Sequence, residues 1–183
     1  MGSIKKSWII IAALVLLVII TISSYNGMVN KDQDVKEGWG NVQSAYQRRA
    51  DLIPNLVNTV KGSAEFEKSV LTEVTQARAG IVNAKTPQDL EMMGKKINTA
   101  INLAYEAYPE LKTTAAFQGL QTQIEGTENR INKARNDYNA VVKVYNSKIK
   151  GFPTVLMAKM FGFEVKENFA AKEGAENAPT VKF

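Results

Sequence analysis

The stretch Arg48-Arg49-Ala50-Asp51-Leu52-Ile53-Pro54-Asn55-Leu56-Val57 sets two arginines, an aspartate and a proline into what is otherwise a continuous helical apolar stripe. Val35, Trp39, Val42, Tyr46, Arg49, Ile53, Leu56 and Val60 alternate by spacings of four and three, the seam of a helix packed against other helices. Arg49 lies on that seam. Its guanidinium stays charged, so burial requires a hydrogen-bonded carboxylate from elsewhere in the chain. Pro54 removes one helical hydrogen bond and crowds the preceding turn, which predicts a bend near Ala50 rather than a helix end.

On the amino-terminal side, Lys5 and Lys6 precede Trp8, and Ile9 to Ile20 contains no polar side chain. With Trp8 and Thr21 to Tyr25 this run reaches roughly the ~17–20 residues of a spanning helix, flanked by Trp8 and Tyr25 as interfacial anchors. Thr21-Ile22-Ser23-Ser24 is a poor cleavage site, so the run reads as a retained anchor rather than a signal peptide. Lys5 and Lys6 form a basic flank, whereas Lys31 and Lys36 are interleaved with Asp32, Asp34 and Glu37. The positive-inside rule then puts residues 1–7 in the cytoplasm, 8–25 in the membrane and the remainder outside it. Asn30 to Asp34 has the start of a calcium loop, but Val35 replaces the turn glycine and Asn41 the closing glutamate, which excludes calcium there.

Beyond Pro54 the helix is expected to run to about Lys61, closed by Gly62-Ser63. Phe66, Val70, Val74, Ala77 and Ile81 mark a second, shorter helix. Thr86-Pro87-Gln88-Asp89 starts a third, with Thr86 as N-cap, Pro87 at the first helical position and Asp89 near the positive end of the dipole. Leu90, Met93, Ile97, Ile101 and Ala104 form its inner face, and Tyr108-Pro109 stops it. A fourth helix runs from about Thr113 to Lys150. Its seam of Phe117, Leu120, Ile124, Thr127, Ile131, Ala134, Tyr138, Val141 and Tyr145 alternates by three and four, implying coiled-coil-like packing. Gly151-Phe152-Pro153 ends it, a short apolar helix follows to Phe163, and residues 164–183 read as a flexible tail.

Three motifs carry a resemblance. Residues 48–57 as quoted, Tyr108-Pro109-Glu110-Leu111-Lys112, and Thr127-Glu128-Asn129-Arg130-Ile131 with Arg135 and Tyr138-Asn139 closely resemble the LemA family of bacterial membrane proteins, from about Tyr25 to Phe163. The resemblance implies an amino-terminal membrane anchor and an extracytoplasmic antiparallel helical bundle. It implies no particular biochemical activity.

The chain has 183 residues and neither His nor Cys. Those two absences remove the commonest general base and metal ligand together with thiolate chemistry and disulfides. Isolated carboxylates such as Asp51, Glu65 and Glu67 come with no dyad, phosphate loop or ligand spacing, so no catalytic, cofactor or metal site is expected. The net charge of +5 is spread over interleaved acids and bases, the pattern of solvated helix faces rather than a nucleic-acid surface.

The fold class is therefore all-α: a transmembrane helix continuing into an antiparallel up-down bundle of about four helices over residues 26–163, including the short apolar helix. At ~1.5 Å per residue the first and fourth helices are about twice as long as the other two, which predicts a four-helix distal half and a two-helix stalk. The same counting places Arg49 at the height of Glu125 and Glu128, so Arg48 or Arg49 should pair with Glu128. In the stalk, Val35, Trp39, Tyr138, Val141, Val142 and Tyr145 lack covering helices, and Leu156, Phe161 and Phe163 are apolar residues with three possible destinations: the membrane, the stalk or another subunit. An exposed seam of this kind predicts self-association. The expected function is a non-enzymatic, membrane-anchored scaffold of the cell envelope, homo-oligomeric through its stalk. The alternative is an adaptor for a membrane protease or another envelope protein partner.

Overall fold

The computed structural model describes residues 6–60, 64–107 and 115–170. The helix ends expected at Gly62-Ser63 and Tyr108-Pro109, and the side chains of Leu56, Val60, Phe66, Phe117 and Leu120, lie outside the described residues. Among those residues there are five helices and no strand: α1 (Lys6–Val60), α2 (Ala64–Asn83), α3 (Pro87–Ala107), α4 (Ala115–Lys150) and α5 (Thr154–Phe161). Pro54 sits inside α1 without ending it. Packing divides the chain into two units, the first Met1–Gly40 with Ala140–Lys166, the second Asn41–Asn139 with Glu167–Phe183.

In the first unit, α1 is long and apolar enough to cross a membrane, and every side chain from Trp8 to Ile20 is exposed. Coverage begins on one face at Thr21, Ser24 and Gly27 and becomes complete at Met28 and Val35, a helical periodicity. Val142, Tyr145 and Ile149 of α4 are buried in the same unit. The buried position on α4 is Val142, whereas Val141, expected on the seam, is half-buried. A helix of 3.6 residues per turn drifts by ~20° per heptad against a strict seven-residue repeat, so after several heptads the neighbouring position takes over the seam.

After α5 the chain turns at Gly162, whose φ of 73° is the left-handed conformation that ends helices, with the Phe163 amide donating to the Ala158 carbonyl at 2.9 Å. It then runs extended along α4. The Tyr145 hydroxyl donates to the Glu164 carbonyl at 2.9 Å. Asn146 clasps Lys166, donating to its carbonyl at 2.8 Å and accepting from its amide at 2.9 Å. The Lys166 ammonium also reaches Asp32 on α1 at 3.7 Å. Residues 164–170, read from composition as the start of a flexible tail, are thus a fastened strap.

The second unit is built from all four long helices. Val70, Val74, Ala77 and Ile81 of α2 and Leu90, Ile97, Ile101 and Ala104 of α3 are buried, with Met93 half-buried. Gln43 on α1 donates to the Ile81 carbonyl at 3.0 Å, and Asp51 meets Arg78 at 2.7 Å, so α1 and α2 run antiparallel. The start of α3 is a reciprocal cap: the Thr86 hydroxyl accepts from the Asp89 amide at 3.2 Å, while the Asp89 carboxylate accepts from the Thr86 and Lys85 amides at 3.0 and 3.1 Å. The Thr86 hydroxyl beside it, followed by those two amides, holds the Asp89 carboxyl below the usual carboxylate range. On α4, Ile124, Thr127, Ile131 and Tyr138 are buried. The Thr127 hydroxyl is satisfied by donation to the Ile124 carbonyl at 2.7 Å.

Candidate functional site

The second unit contains a cleft of about 360 Å³ walled by α1, α3 and α4. Its chemistry starts from Arg49, which the α1 seam turns inward to 7% exposure and which pairs with Glu128 of α4. Arg48, one residue earlier and about 100° around the helix, is exposed and takes no part. Seven residues beyond Glu128 on the same helix, Arg135 makes a second pair with Glu91 of α3 at 2.6 Å. Arg135 also donates to the Ala170 carbonyl at 3.0 Å and stands 5.0 Å from the centre of the Phe169 ring.

Tyr46 lies one turn before Arg49 and is buried against Gly94 of α3. A Cβ at position 94 would stand 2.6 Å from the Tyr46 ring, so only glycine admits the ring there. Burial pushes the Tyr46 phenol above its ordinary value, while Arg135 and Glu91 pull in opposite directions. Two buried polar atoms in this cleft have no partner among the described residues: Nε of Arg49 and Oδ1 of Asn98. Lys95 lines the wall nearby.

Each glutamate is paired with an arginine, and burial favours the neutral, protonated form of the Tyr46 phenol. The unpartnered donor and acceptor carry a desolvation cost. Among the described residues no group of three or more acidic side chains is placed to hold a metal ion.

The expected interaction seam is not free. Val35, Tyr138 and Tyr145 are buried, and Trp39 and Val141 are half-buried. On Tyr145 and Tyr138 the cover is the strap. In the first unit, Glu164 and Lys166 lie on Tyr145, with the Lys166 ammonium 5.9 Å from the ring centre. In the second unit, Asn139 clasps Phe169 through both its amide and its carbonyl, at 2.8 and 3.0 Å, which sets the buried Phe169 ring edge-on to Tyr138 at 5.4 Å. Phe163 is half-buried against Tyr25, with ring centres 5.9 Å apart, whereas Leu156 and Phe161 remain exposed.

Glu91, Gly94, Asn98 and the two clasping asparagines were not singled out by periodicity. A usable signal exists on α4, where Arg135, Asn139 and Asn146 follow at four- and seven-residue spacing beside the apolar stripe. A polar row at seam spacing needs backbone partners, and an extended segment supplies them.

Comparison with known proteins adds context. The profile described as LemA family matches residues 38–183. The protein named Protein LemA from Metamycoplasma hominis is 25% identical, the match covering 84% of this chain and 72% of that protein. Magnetosome protein MamQ 2 from Paramagnetospirillum magneticum is 24% identical, covering 91% of this chain and 72% of its own length. Magnetosome protein MamQ from Magnetospirillum gryphiswaldense is 22% identical with the same coverage.

Proposed function

The chain belongs to the LemA family, and from that premise we propose that it is a membrane-anchored interaction protein of the bacterial cell envelope with no reaction of its own. Its amino terminus lies in the cytoplasm, α1 crosses the inner membrane, and the helical bundle works outside it. Lys5 and Lys6 before the apolar run, against mixed charges after it, support this orientation.

The observation that carries the reading is the continuity of α1. One helix passes from fully exposed apolar residues, Trp8 to Ile20, to the buried residues Val42, Tyr46, Arg49 and Ile53. A helix that is apolar on every side and unpartnered suits lipid, and an unbroken continuation makes the bundle's first helix part of the anchor. The paired charges lining the cleft suit recognition of a polar group on a partner.

Self-association through Tyr138 and Tyr145 loses its support, because the strap lies on both residues within the same chain, and Val35 is buried. The adaptor reading takes precedence over the self-assembling scaffold. Several relatives bear names that denote a membership, magnetosome protein, and not a reaction. The test is the mass of the full-length protein extracted in mild detergent, with any co-purifying proteins identified and their stoichiometry measured. The adaptor reading expects one chain bound to a foreign envelope protein at fixed stoichiometry. A large assembly of this chain alone would restore the scaffold.

A further inference from the structure

α5 buries its small residues and exposes its large ones. Thr154 and Ala158, four apart, face inward at 6% and 3% exposure. Leu156 and Met160, also four apart, face outward at 57% and 64%, and Phe152 in the preceding turn is 85% exposed. In water this orientation is backwards, since the hydrophobic gain grows with the area removed and the largest side chains should turn inward. The orientation becomes sensible when the outer face meets an apolar medium.

The position of α5 identifies that medium. Phe161 packs edge-on to Tyr25 with ring centres 4.9 Å apart, and Phe163 follows at 5.9 Å. Tyr25 closes the apolar run that begins at Trp8, a length of about 27 Å at ~1.5 Å per residue, close to the ~30 Å of a bilayer's hydrocarbon core. Tyr25 therefore stands at the lipid–water boundary, and α5 is held at that level by direct contact. The charges agree. From Ser147 to Phe163 the chain contains Lys148, Lys150 and Lys159, all exposed, and no acid. Lysines at this depth face lipid phosphates. A second protein would be a less constrained occupant, because the contact with Tyr25 already brings α5 to the bilayer surface.

We propose that α5 is an interfacial helix that inserts Phe152, Leu156 and Met160 into the leaflet on the bundle's side, with Lys148, Lys150 and Lys159 on the phosphates of anionic lipid. This second attachment rests on the reading that α1 spans the bilayer. It makes α5 a support for the anchor, lying in the plane of the surface while α1 crosses it.

The chain has no cysteine, so single cysteines can be introduced and spin-labelled without background. Leu14→Cys, Lys85→Cys, Leu156→Cys and Met160→Cys full-length proteins would be reconstituted in vesicles of phosphatidylethanolamine and phosphatidylglycerol. Collisions with oxygen, which concentrates in lipid, are compared with collisions with a water-soluble nickel chelate. The expected result is oxygen in excess over nickel at 14, 156 and 160, with the reverse at 85. Nickel access at 156 and 160 equal to that at 85, with 14 in lipid, would overturn the placement of α5 alone. So would shielding of 156 and 160 from both reagents, which would indicate a protein partner. Nickel access at 14 would overturn the spanning reading and the α5 placement with it.

Discussion

The guanidinium of Arg49 on α1 meets the carboxylate of Glu128 on α4, seventy-nine positions later in the chain. Arg49 is buried and Glu128 about two-thirds so, so the pair is a desolvated cation with a partly desolvated partner. Removing one partner strands the other charge, whereas removing both leaves an apolar seam. Glu128→Gln should therefore cost about 3 kcal/mol in denaturant unfolding of the detergent-solubilised protein. The double variant Arg49→Met with Glu128→Leu should recover most of that loss, and a double variant as unstable as the single one would contradict the account.

A methyl group at Gly94 would press into the buried Tyr46 ring, while one at Gly80 would meet only the flexible Met93 side chain. Gly94→Ala should cost about 1–3 kcal/mol through overpacking. Gly80→Ala should be near neutral, since the gain in helix propensity of ~1 kcal/mol offsets a movable contact. Thermal unfolding of the two variants side by side checks the difference.

The clasp between Asn139 and Phe169 satisfies a backbone donor and acceptor with one side chain. Asn139→Ala should remove both bonds, costing about 1–3 kcal/mol locally. Hydrogen exchange is the direct readout. The Phe169 amide should lose protection while the amides of α3 keep theirs.

At alkaline pH three buried tyrosines become relevant. Burial raises the phenols of Tyr46, Tyr138 and Tyr145 above their ordinary value, with Glu167 adding to the effect at Tyr138 and Asp32 and Glu164 at Tyr145. The folded state then holds phenol protons that the unfolded chain releases, so their contribution is intact below an unfolded value of ~10 and is lost as pH rises through the folded values. Stability should fall above about pH 10. A variant with phenylalanine at all three positions should show a shallower fall over that range.

Much of the fold is legible in residue spacing. The stripe through Arg49 marks a buried cation, and helical rise brings Glu128 to its level. Thr86 to Asp89 reads as a helix start because each residue there has one local role. What spacing does not carry is the strap. An extended segment held by Asn139 and Asn146 has no periodicity of its own, since its register is set by backbone groups that every residue possesses. The expectation of an exposed seam does not hold at Tyr138 and Tyr145 for that reason. Gly94 is equally silent, because a glycine in a helix reads as a propensity cost until the Tyr46 ring is seen against it. Val142 displaced Val141 through the drift of the true helical repeat against a strict heptad.

The central claim is that α1 crosses the inner membrane with the bundle outside it. The most direct measurement uses single cysteines at Ser3 and at the exposed Lys85, probed with a membrane-impermeant maleimide on bacteria whose outer barrier has been opened and whose inner membrane is intact. The account predicts labelling of Lys85→Cys from outside and of Ser3→Cys only after the inner membrane is disrupted. Labelling of Ser3→Cys with protection of Lys85→Cys, or release of the protein from the membrane by alkaline carbonate, would contradict it.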